Sequence, residues 1–353
     1  MIKVLTVIGA RPQFIKASVV SKSMQESHNI TEILVNTGQH FDENMSTVFF
    51  DELEMRLPDH NLNVSGGGHG DMTGRMMIGI EKIIEDVRPD WVLVYGDTNS
   101  TVAASLCAAK CMTPLAHVEA GLRSFDQYMP EEINRVVTDR LSQVLFCPTH
   151  QAVANLRNER RAELGAEILN VGDVMYDVAL QAKEFAVDPQ IEWLRENFIL
   201  ATIHRAENTD DKVVLMQIVD ALNELSRSFC IVLPLHPRTV RRMSEFGLSF
   251  DFPVVEPVGY LEMSWLLRHC QCVVTDSGGL QKEAYFSQKP CVTVRERTEW
   301  TELVDHGVNR LCLPREIPQV TLEMIDVTVQ DSEHLYGNGN ASELITRRLC
   351  NDR

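Results

Sequence analysis

The chain lacks any apolar run approaching the roughly 20 residues that a membrane-spanning helix needs. It is also short of positive charge: 33 Lys and Arg stand against 50 Asp and Glu, a formal charge of −17. That argues against nucleic acid as a partner, because phosphate-backbone binding runs on Lys and Arg. Any anionic ligand must find local cations against an unfavourable overall field. The nine cysteines are scattered. Their close pairs, Cys107/Cys111 and Cys270/Cys272, lack the two-residue gap common in zinc sites. Most lie in apolar runs, so buried reduced thiols are expected. No G-x-G-x-x-G follows a strand and no G-x-x-x-x-G-K-[ST] occurs, so neither a nicotinamide cofactor nor ATP hydrolysis has its usual fingerprint. Carboxylates suit hard cations, but no D-x-D pair occurs, and no metal or other cofactor is expected. Met1-Ile2-Lys3-Val4-Leu5 enters a strand pattern at once and leaves no room for a signal peptide. Cytoplasmic residence, with no membrane partner, is the expectation.

What is present is an ordinary globular composition, 44% hydrophobic and 24% charged, in a length that suits two domains. Short apolar runs alternate with amphipathic stretches, the pattern of βα units and a parallel sheet. The runs Val4–Ile8, Ile33–Asn36, Trp91–Tyr95, Leu115–Val118 and Val144–Cys147 predict strands. Helices are expected over Phe14–Met24, Thr73–Val87 and Thr101–Lys110. The pattern restarts after Gly172, with strands at Phe198–Thr202, Cys230–Leu235, Cys272–Thr275 and Cys291–Val294. Helices there are expected over Asp211–Leu225 and Leu280–Ser287. The fold class is α/β with two Rossmann-like domains, 1–172 and 173–339, and a C-terminal helix in 340–353 that packs back on the first. Two such domains imply a cleft, a preferred place for small-molecule sites. The cluster Gly66-Gly67-Gly68-His69-Gly70 is expected as a flexible surface loop.

Three carboxylates fall just past strand ends or in a nearby loop: Asp97, Glu119 and Glu131. In open α/β sheets ligands bind beyond the carboxyl ends of the strands, and groups that gain and lose a proton suit proton chemistry. The plainer alternative has Asp97 capping a helix and the glutamates pairing with Arg123 or Arg135. Gly9-Ala10-Arg11-Pro12 follows the first strand and opens a helix, where exposed N–H groups with Arg11 and Lys16 would suit an anion; a tight turn with two solvated cations is the alternative. Thr275-Asp276-Ser277-Gly278-Gly279-Leu280 breaks from a strand into a helix, which lets the backbone approach a phosphate. Glu283, on the same helix, suits neutral hydroxyls such as a ribose. His204-Arg205 and His236-Pro237-Arg238 add cations at further strand ends.

Taken together, G-A-R-P-Q-F-I-K (9–16), T-G-Q-H (37–40), Y-G-D-T-N-S-T (95–101), H-V-E-A-G-L-R-S (117–124), M-P-E-E-I-N-R (129–135), H-R-A-E-N (204–208), H-P-R (236–238) and D-S-G-G-L-Q-K-E-A (276–284) resemble the non-hydrolysing UDP-N-acetylglucosamine 2-epimerases. The resemblance runs in order over nearly the whole chain. It implies the GT-B fold of glycogen phosphorylase-like glycosyltransferases, with a UDP-sugar as partner. It further implies elimination of UDP across C1–C2, reprotonation on the opposite face and re-addition of UDP. On that resemblance Asp97, Glu119, Glu131 and His204 are the catalytic residues. Arg11, Lys16, Arg135, His236, Ser277, Gly278 and Gly279 bind the phosphates and the rest of the UDP-sugar, Glu283 binds the ribose, and the enzyme is a homodimer. The dialect of G-A-R-P-Q-F-I-K-A-S-V-V, H-R-A-E-N-T-D-D and V-G-Y-L-E-M resembles the branch acting on UDP-2,3-diacetamido-2,3-dideoxyglucuronate in O-antigen synthesis. UDP-N-acetylglucosamine is the runner-up substrate; a glycosyltransferase and a non-catalytic nucleotide-sugar binder are the more distant alternatives.

Overall fold

Continuous apolar runs become strands here because a parallel sheet covered on both faces buries every position along them. The computed structural model describes residues 1–39, 55–330 and 334–351. Two compact units emerge: Met1–Val178 with His334–Arg353, and Ala179–Glu333. The division falls a few residues beyond the sequence boundary at 172.

In the first unit the strands are β1 (Ile2–Ile8), β2 (Ile30–Asn36), β3 (His60–Asn61), β4 (Trp91–Tyr95), β5 (Leu115–Val118), β6 (Val144–Cys147) and β7 (Glu167–Asn170). They form one sheet in the order β3-β2-β1-β4-β5-β6-β7, every pair parallel. Leu5 on β1 lies opposite Ile33 on β2 and Val92 on β4. The order reverses between β1 and β4, so the loops leaving those strands diverge at a switch point. The crossovers carry α1 (Arg11–Ser27), α2 (His69–Val87), α3 (Asn99–Lys110), α4 (Pro130–Leu141) and α5 (His150–Asn158). Met76, Ile80, Ile83 and Ile84 form a helical stripe on α2, packed on Leu5, Val7, Val92 and Val94. Each such buried side chain contributes about 1.5–3 kcal/mol.

After α6 (Val174–Phe185) the second unit repeats the plan with β8 (Phe198–Thr202), β9 (Cys230–Val232), β10 (Cys272–Thr275), β11 (Cys291–Thr293) and β12 (Asn309–Leu311). This parallel sheet has the order β12-β11-β10-β8-β9, with its switch point between β8 and β10. Its helices are α7 (Ala206–Thr209), α8 (Lys212–Ser226), α9 (Pro237–Phe246), α10 (Tyr260–His269), α11 (Gly278–Phe286), α12 (Thr301–Asp305) and α13 (Ile317–Met324). The final helix, α14 (Ala341–Cys350), belongs to the first unit. Its first backbone N–H groups, on Ala341 and Ser342, donate to buried Asp177 at 3.2 and 2.9 Å.

Three differences from the sequence expectation have physical causes. His69 and Gly70 open α2, so only the front of the glycine cluster is loop. The sheet-edge strands β3, β7 and β12 are short and partly polar, as edges are, and gave no apolar run to find. The strand from Cys230 stops at Val232; Pro234, which has no N–H for a ladder, makes only an isolated bridge to Val255. Among the described residues no helix is long and apolar enough to cross a membrane.

Candidate functional site

In the first unit the side chains of interest sit on the loops leaving β1, β4 and β5. Beyond β4 the chain turns through Gly96, and Thr98 caps α3 by accepting from Thr101 N at 3.3 Å. Asp97 is thereby released from the capping role. Its Oδ2 pairs instead with Nη2 of Arg135 on α4, whose Nη1 donates to Glu132 Oε2 at 3.0 Å. Beyond β5, Glu119 pairs with Nζ of Lys16 on α1. Both carboxylates therefore stand beside a cation, at the ends of adjacent strands.

The two loops are held tightly. Gly96 N donates to Val118 O at 3.0 Å. Glu119 has φ +70°, a left-handed conformation that costs a non-glycine residue on the order of 1–3 kcal/mol and clusters at functional sites. Gly96 has φ +60°, and a Cβ there would lie 3.3 Å from Glu119 Oε2. Behind both loops, fully buried His117 lies 2.7 Å from Asp139 Oδ1 through Nδ1 and 2.8 Å from Gly96 O through Nε2. Asp139 Oδ2 also accepts from Gly121 N at 3.1 Å and Arg123 Nη1 at 2.7 Å. Burial alone would raise the Asp139 carboxyl, but hydrogen bonds and charge from His117 and Arg123 outweigh it and hold it below its ordinary range. Arg123 closes the network on Glu159, at 2.7 and 2.8 Å. This makes Arg123 a buried structural cation, the alternative left open by the sequence.

Of the Glu131–Glu132 pair, Glu132 is the buried one. It accepts from Ser124 N at 2.9 Å and Phe125 N at 3.1 Å, fixing the loop beyond Glu119. Glu131 is exposed on the first turn of α4, one turn before Arg135 and on the same helical face. Arg11 is exposed as the first residue of α1. One expectation needs correction: the N–H groups of Gly9 and Ala10 are not open to an anion. Both donate to Gln13 Oε1, at 2.9 and 3.1 Å. Exposed N–H groups were expected at this helix start, and a neutral side-chain amide from its first turn satisfies these two.

In the second unit the loops leaving β8 and β10 meet around Asp276, which has no exposed surface. Its carboxylate accepts from His204 N at 3.0 Å, Arg205 N at 2.9 Å and Asn208 Nδ2 at 3.1 Å. Its Oδ1 also lies 3.3 Å from His204 Nδ1. His236 stands nearby, its ring centroid 5.5 Å from that of His204. His236 Nδ1 accepts from Arg238 N at 3.1 Å, which puts the hydrogen of a neutral ring on Nε2. Ser277 caps α11, accepting from Leu280 N at 3.4 Å, and Gly278 and Gly279 form the first turn. A Cβ on Gly278 would fall 2.6 Å from Glu299 Oε1, so any larger residue there would push the Glu299 carboxylate aside. Trp300 Nε1 anchors the turn by donating to Gly278 O at 2.9 Å. Glu283 is half-buried farther along α11. Ser277 N donates to Thr275 Oγ1 at 2.9 Å, so the helix-start N–H groups that could meet an anion beside the histidines are those of Gly278 and Gly279. Among the described residues no group of His, Cys, Asp and Glu is arranged to hold a metal ion.

Gln13, His117, Asp139, Glu132 and Asp276 were not picked out as site residues by sequence reasoning. All but Asp139 lie inside motifs that were, but nothing in a linear motif marks which member is buried.

Comparisons with known proteins agree over the full chain. The family model for UDP-N-acetylglucosamine 2-epimerase matches residues 22–350. A Pseudomonas aeruginosa protein named UDP-2,3-diacetamido-2,3-dideoxy-D-glucuronate 2-epimerase is 54% identical over 99% of both chains. The Methanocaldococcus jannaschii UDP-GlcNAc 2-epimerase, solved with UDP-GlcNAc and UDP, superposes with a TM-score of 0.87 at 38% identity, covering 99% of each chain. The Neisseria meningitidis UDP-GlcNAc 2-epimerase, solved with UDP-GlcNAc, gives 0.89 at 29% identity over 99% of this chain and 100% of that one. The fold is the GT-B class of those structures, and the chain belongs to the UDP-N-acetylglucosamine 2-epimerase family.

Proposed function

We propose that this protein inverts C2 of a UDP-2-acetamido sugar by eliminating and re-adding UDP, and that its sugar is UDP-2,3-diacetamido-2,3-dideoxyglucuronate. The observation that carries the substrate is the 54% identity, end to end, with the Pseudomonas aeruginosa epimerase of that name. The chemistry follows from the residues. The C2 proton of a pyranose is not next to a carbonyl, so its removal needs a leaving group to depart from C1. A base takes that proton as the C1–O bond to UDP breaks, leaving a 2-acetamidoglycal. An acid then protonates C2 on the other face, and the UDP oxygen re-forms the bond to C1. Proton and diphosphate both return, so nothing is consumed.

Asp97 and Glu119 are the proposed proton-transfer groups. Each stands beside a cation that balances its charge, on a loop locked by buried hydrogen bonds, which is the preorganisation that proton transfer rewards. Glu131 is the third such group, exposed and one turn from Arg135. Lys16 and Arg135 hold the carboxylates, and Arg11 offers an exposed cation to the UDP-sugar. Gly278 and Gly279 supply backbone donors to the diphosphate and Ser277 its hydroxyl, with His204 and His236 beside them to stabilise its charge as it leaves. Glu283 accepts from the ribose hydroxyls. The enzyme is proposed to work in the cytoplasm as a homodimer, supplying an activated mannuronate for O-antigen polysaccharide.

The test is to offer both UDP-sugars in deuterium oxide and follow C2 by NMR. Inversion with deuterium at C2, without any acceptor, is expected for the diacetamido glucuronate. Faster turnover of UDP-N-acetylglucosamine would reassign the substrate, and an active preparation without C2 exchange would refute the mechanism. Asp97→Asn should abolish turnover while UDP still binds; wild-type epimerisation in that variant would remove its proton-transfer role.

A further inference from the structure

Gln13 touches none of the groups assigned to the sugar or the diphosphate, yet its side chain, 2% exposed, uses its full hydrogen-bonding capacity. Oε1 accepts from Gly9 N at 2.9 Å and Ala10 N at 3.1 Å. Nε2 donates to Tyr95 O at 2.7 Å and Thr101 Oγ1 at 2.9 Å. A side-chain amide has one oxygen with two lone pairs and two N–H donors, so all four are spent. The partners lie on three different pieces of chain: the loop after β1, the last carbonyl of β4 and the first turn of α3. Thr101 Oγ1 itself donates to Tyr95 O at 2.7 Å, so that carbonyl is clamped twice. It is the last fixed point before Gly96 and Asp97.

We propose that Gln13 is a positioning residue that sets Asp97 for proton transfer by pinning the end of β4 to the loop after β1. The proposal rests on Asp97 as a proton-transfer group. Neither half of the clamp has a substitute nearby. Ala10, the N-cap residue of α1, has no side-chain acceptor for the helix start. Without Nε2, Tyr95 O keeps only Thr101 and the end of β4 loses its brace to the loop after β1. Gly96 N stays tied to Val118 O and Asp97 O to Asn134 Nδ2, so what reaches Asp97 is a small displacement of its leading strand end. Misplacing a catalytic group by about 1 Å can cost on the order of a hundredfold in rate.

The experiment compares the full-length wild type with Gln13→Met, which removes both halves of the clamp, and Gln13→Glu, which keeps the acceptor for Gly9 and Ala10 and loses the donor to Tyr95. Kinetics with the UDP-sugar, UDP calorimetry and thermal melting are measured on all three. Gln13→Met should lose at least tenfold in kcat with KM and UDP affinity within threefold of wild type. Gln13→Glu, whose second oxygen meets Tyr95 O acceptor against acceptor, should likewise lose kcat with KM and UDP affinity held, a split that a purely structural role would not produce. Should Gln13→Met fail to fold, Gln13→Glu decides alone, with kcat below and KM equal to wild type. A folded variant with wild-type kcat, or a loss confined to KM, overturns the proposal. Amide hydrogen exchange over residues 95–101, measured without substrate, should speed up in Gln13→Met. Unchanged protection there overturns the clamp even if the wild type proves not to be an epimerase, so the two failures are separable.

Discussion

Asp276→Asn tests how the second unit prepares its anion site. The carboxylate accepts three N–H groups, from His204, Arg205 and Asn208, and faces His204 Nδ1 at 3.3 Å. Asparagine offers one oxygen and one amide. With the oxygen in the Oδ2 place, His204 N, Arg205 N and Asn208 Nδ2 all keep an acceptor, now a neutral one. The amide nitrogen then occupies the Oδ1 place, 3.1 Å from His204 N, donor against donor. The Oδ1 branch of the His204 N bond is lost and three charge-assisted bonds become neutral ones, a cost of about 2–3 kcal/mol. For a unit of this size that lowers the melting temperature by about 5–10 °C. The new amide also faces His204 Nδ1, which must turn acceptor and move the ring hydrogen to Nε2, because the partner of one nitrogen sets the state of the other. The ring then meets the proposed diphosphate without a carboxylate fixing it from behind, and a fall of about tenfold in UDP affinity is expected. Scanning calorimetry and UDP titration measure the two effects separately. Melting and UDP affinity both equal to wild type would refute the reasoning, and a melting change alone would remove His204 from the diphosphate.

Other perturbations probe the first unit and the thiols. Glu32 is held above its ordinary range by burial, which the Thr6 and Ser21 hydroxyls and Arg56 offset only in part. Its contribution to stability is therefore fully present below the unfolded value and lost as pH rises through the folded one. Glu32→Gln should gain stability relative to wild type as pH rises from about 4.5 towards neutrality, read as the difference in urea midpoints; a pH-independent difference would overturn it. Gly96→Ala forces a side chain into a left-handed conformation and against Glu119, for a loss of about 1–2 kcal/mol from the backbone alone and a fall in kcat; an unchanged unfolding midpoint would contradict this. Burial pushes the Cys107, Cys270, Cys291 and Cys312 thiols up to about 12. A thiol reagent at pH 8 should label only the half-exposed Cys111, Cys230 and Cys350 in the native chain, and rapid native labelling of any of the other six would show that the core opens.

The strands that carry the site were legible because a covered parallel strand is a bare apolar run: Trp91–Tyr95, Leu115–Val118 and Cys272–Thr275 begin and end where the sequence placed them. The position of the loops followed, since a switch point is where parallel strand ends open. What the sequence withheld is how polar side chains divide the work inside those loops. Thr98 and Asp97 are both competent caps, and only the geometry shows that Thr98 takes the helix and leaves Asp97 for Arg135. Glu131 and Glu132 are neighbours on a helix, where one residue is a turn of about 100°; that rotation buries one and exposes the other. His117 and Asp139 are 22 residues apart in sequence, and no local periodicity links them. Gln13 is the sharpest case. From sequence, Gly9 and Ala10 look like free donors at a helix start, the signature of an anion site. Folding brings the amide of Gln13 back onto those donors and its own N–H groups onto β4. At Gly9 and Ala10, what resembled a ligand contact is an internal brace.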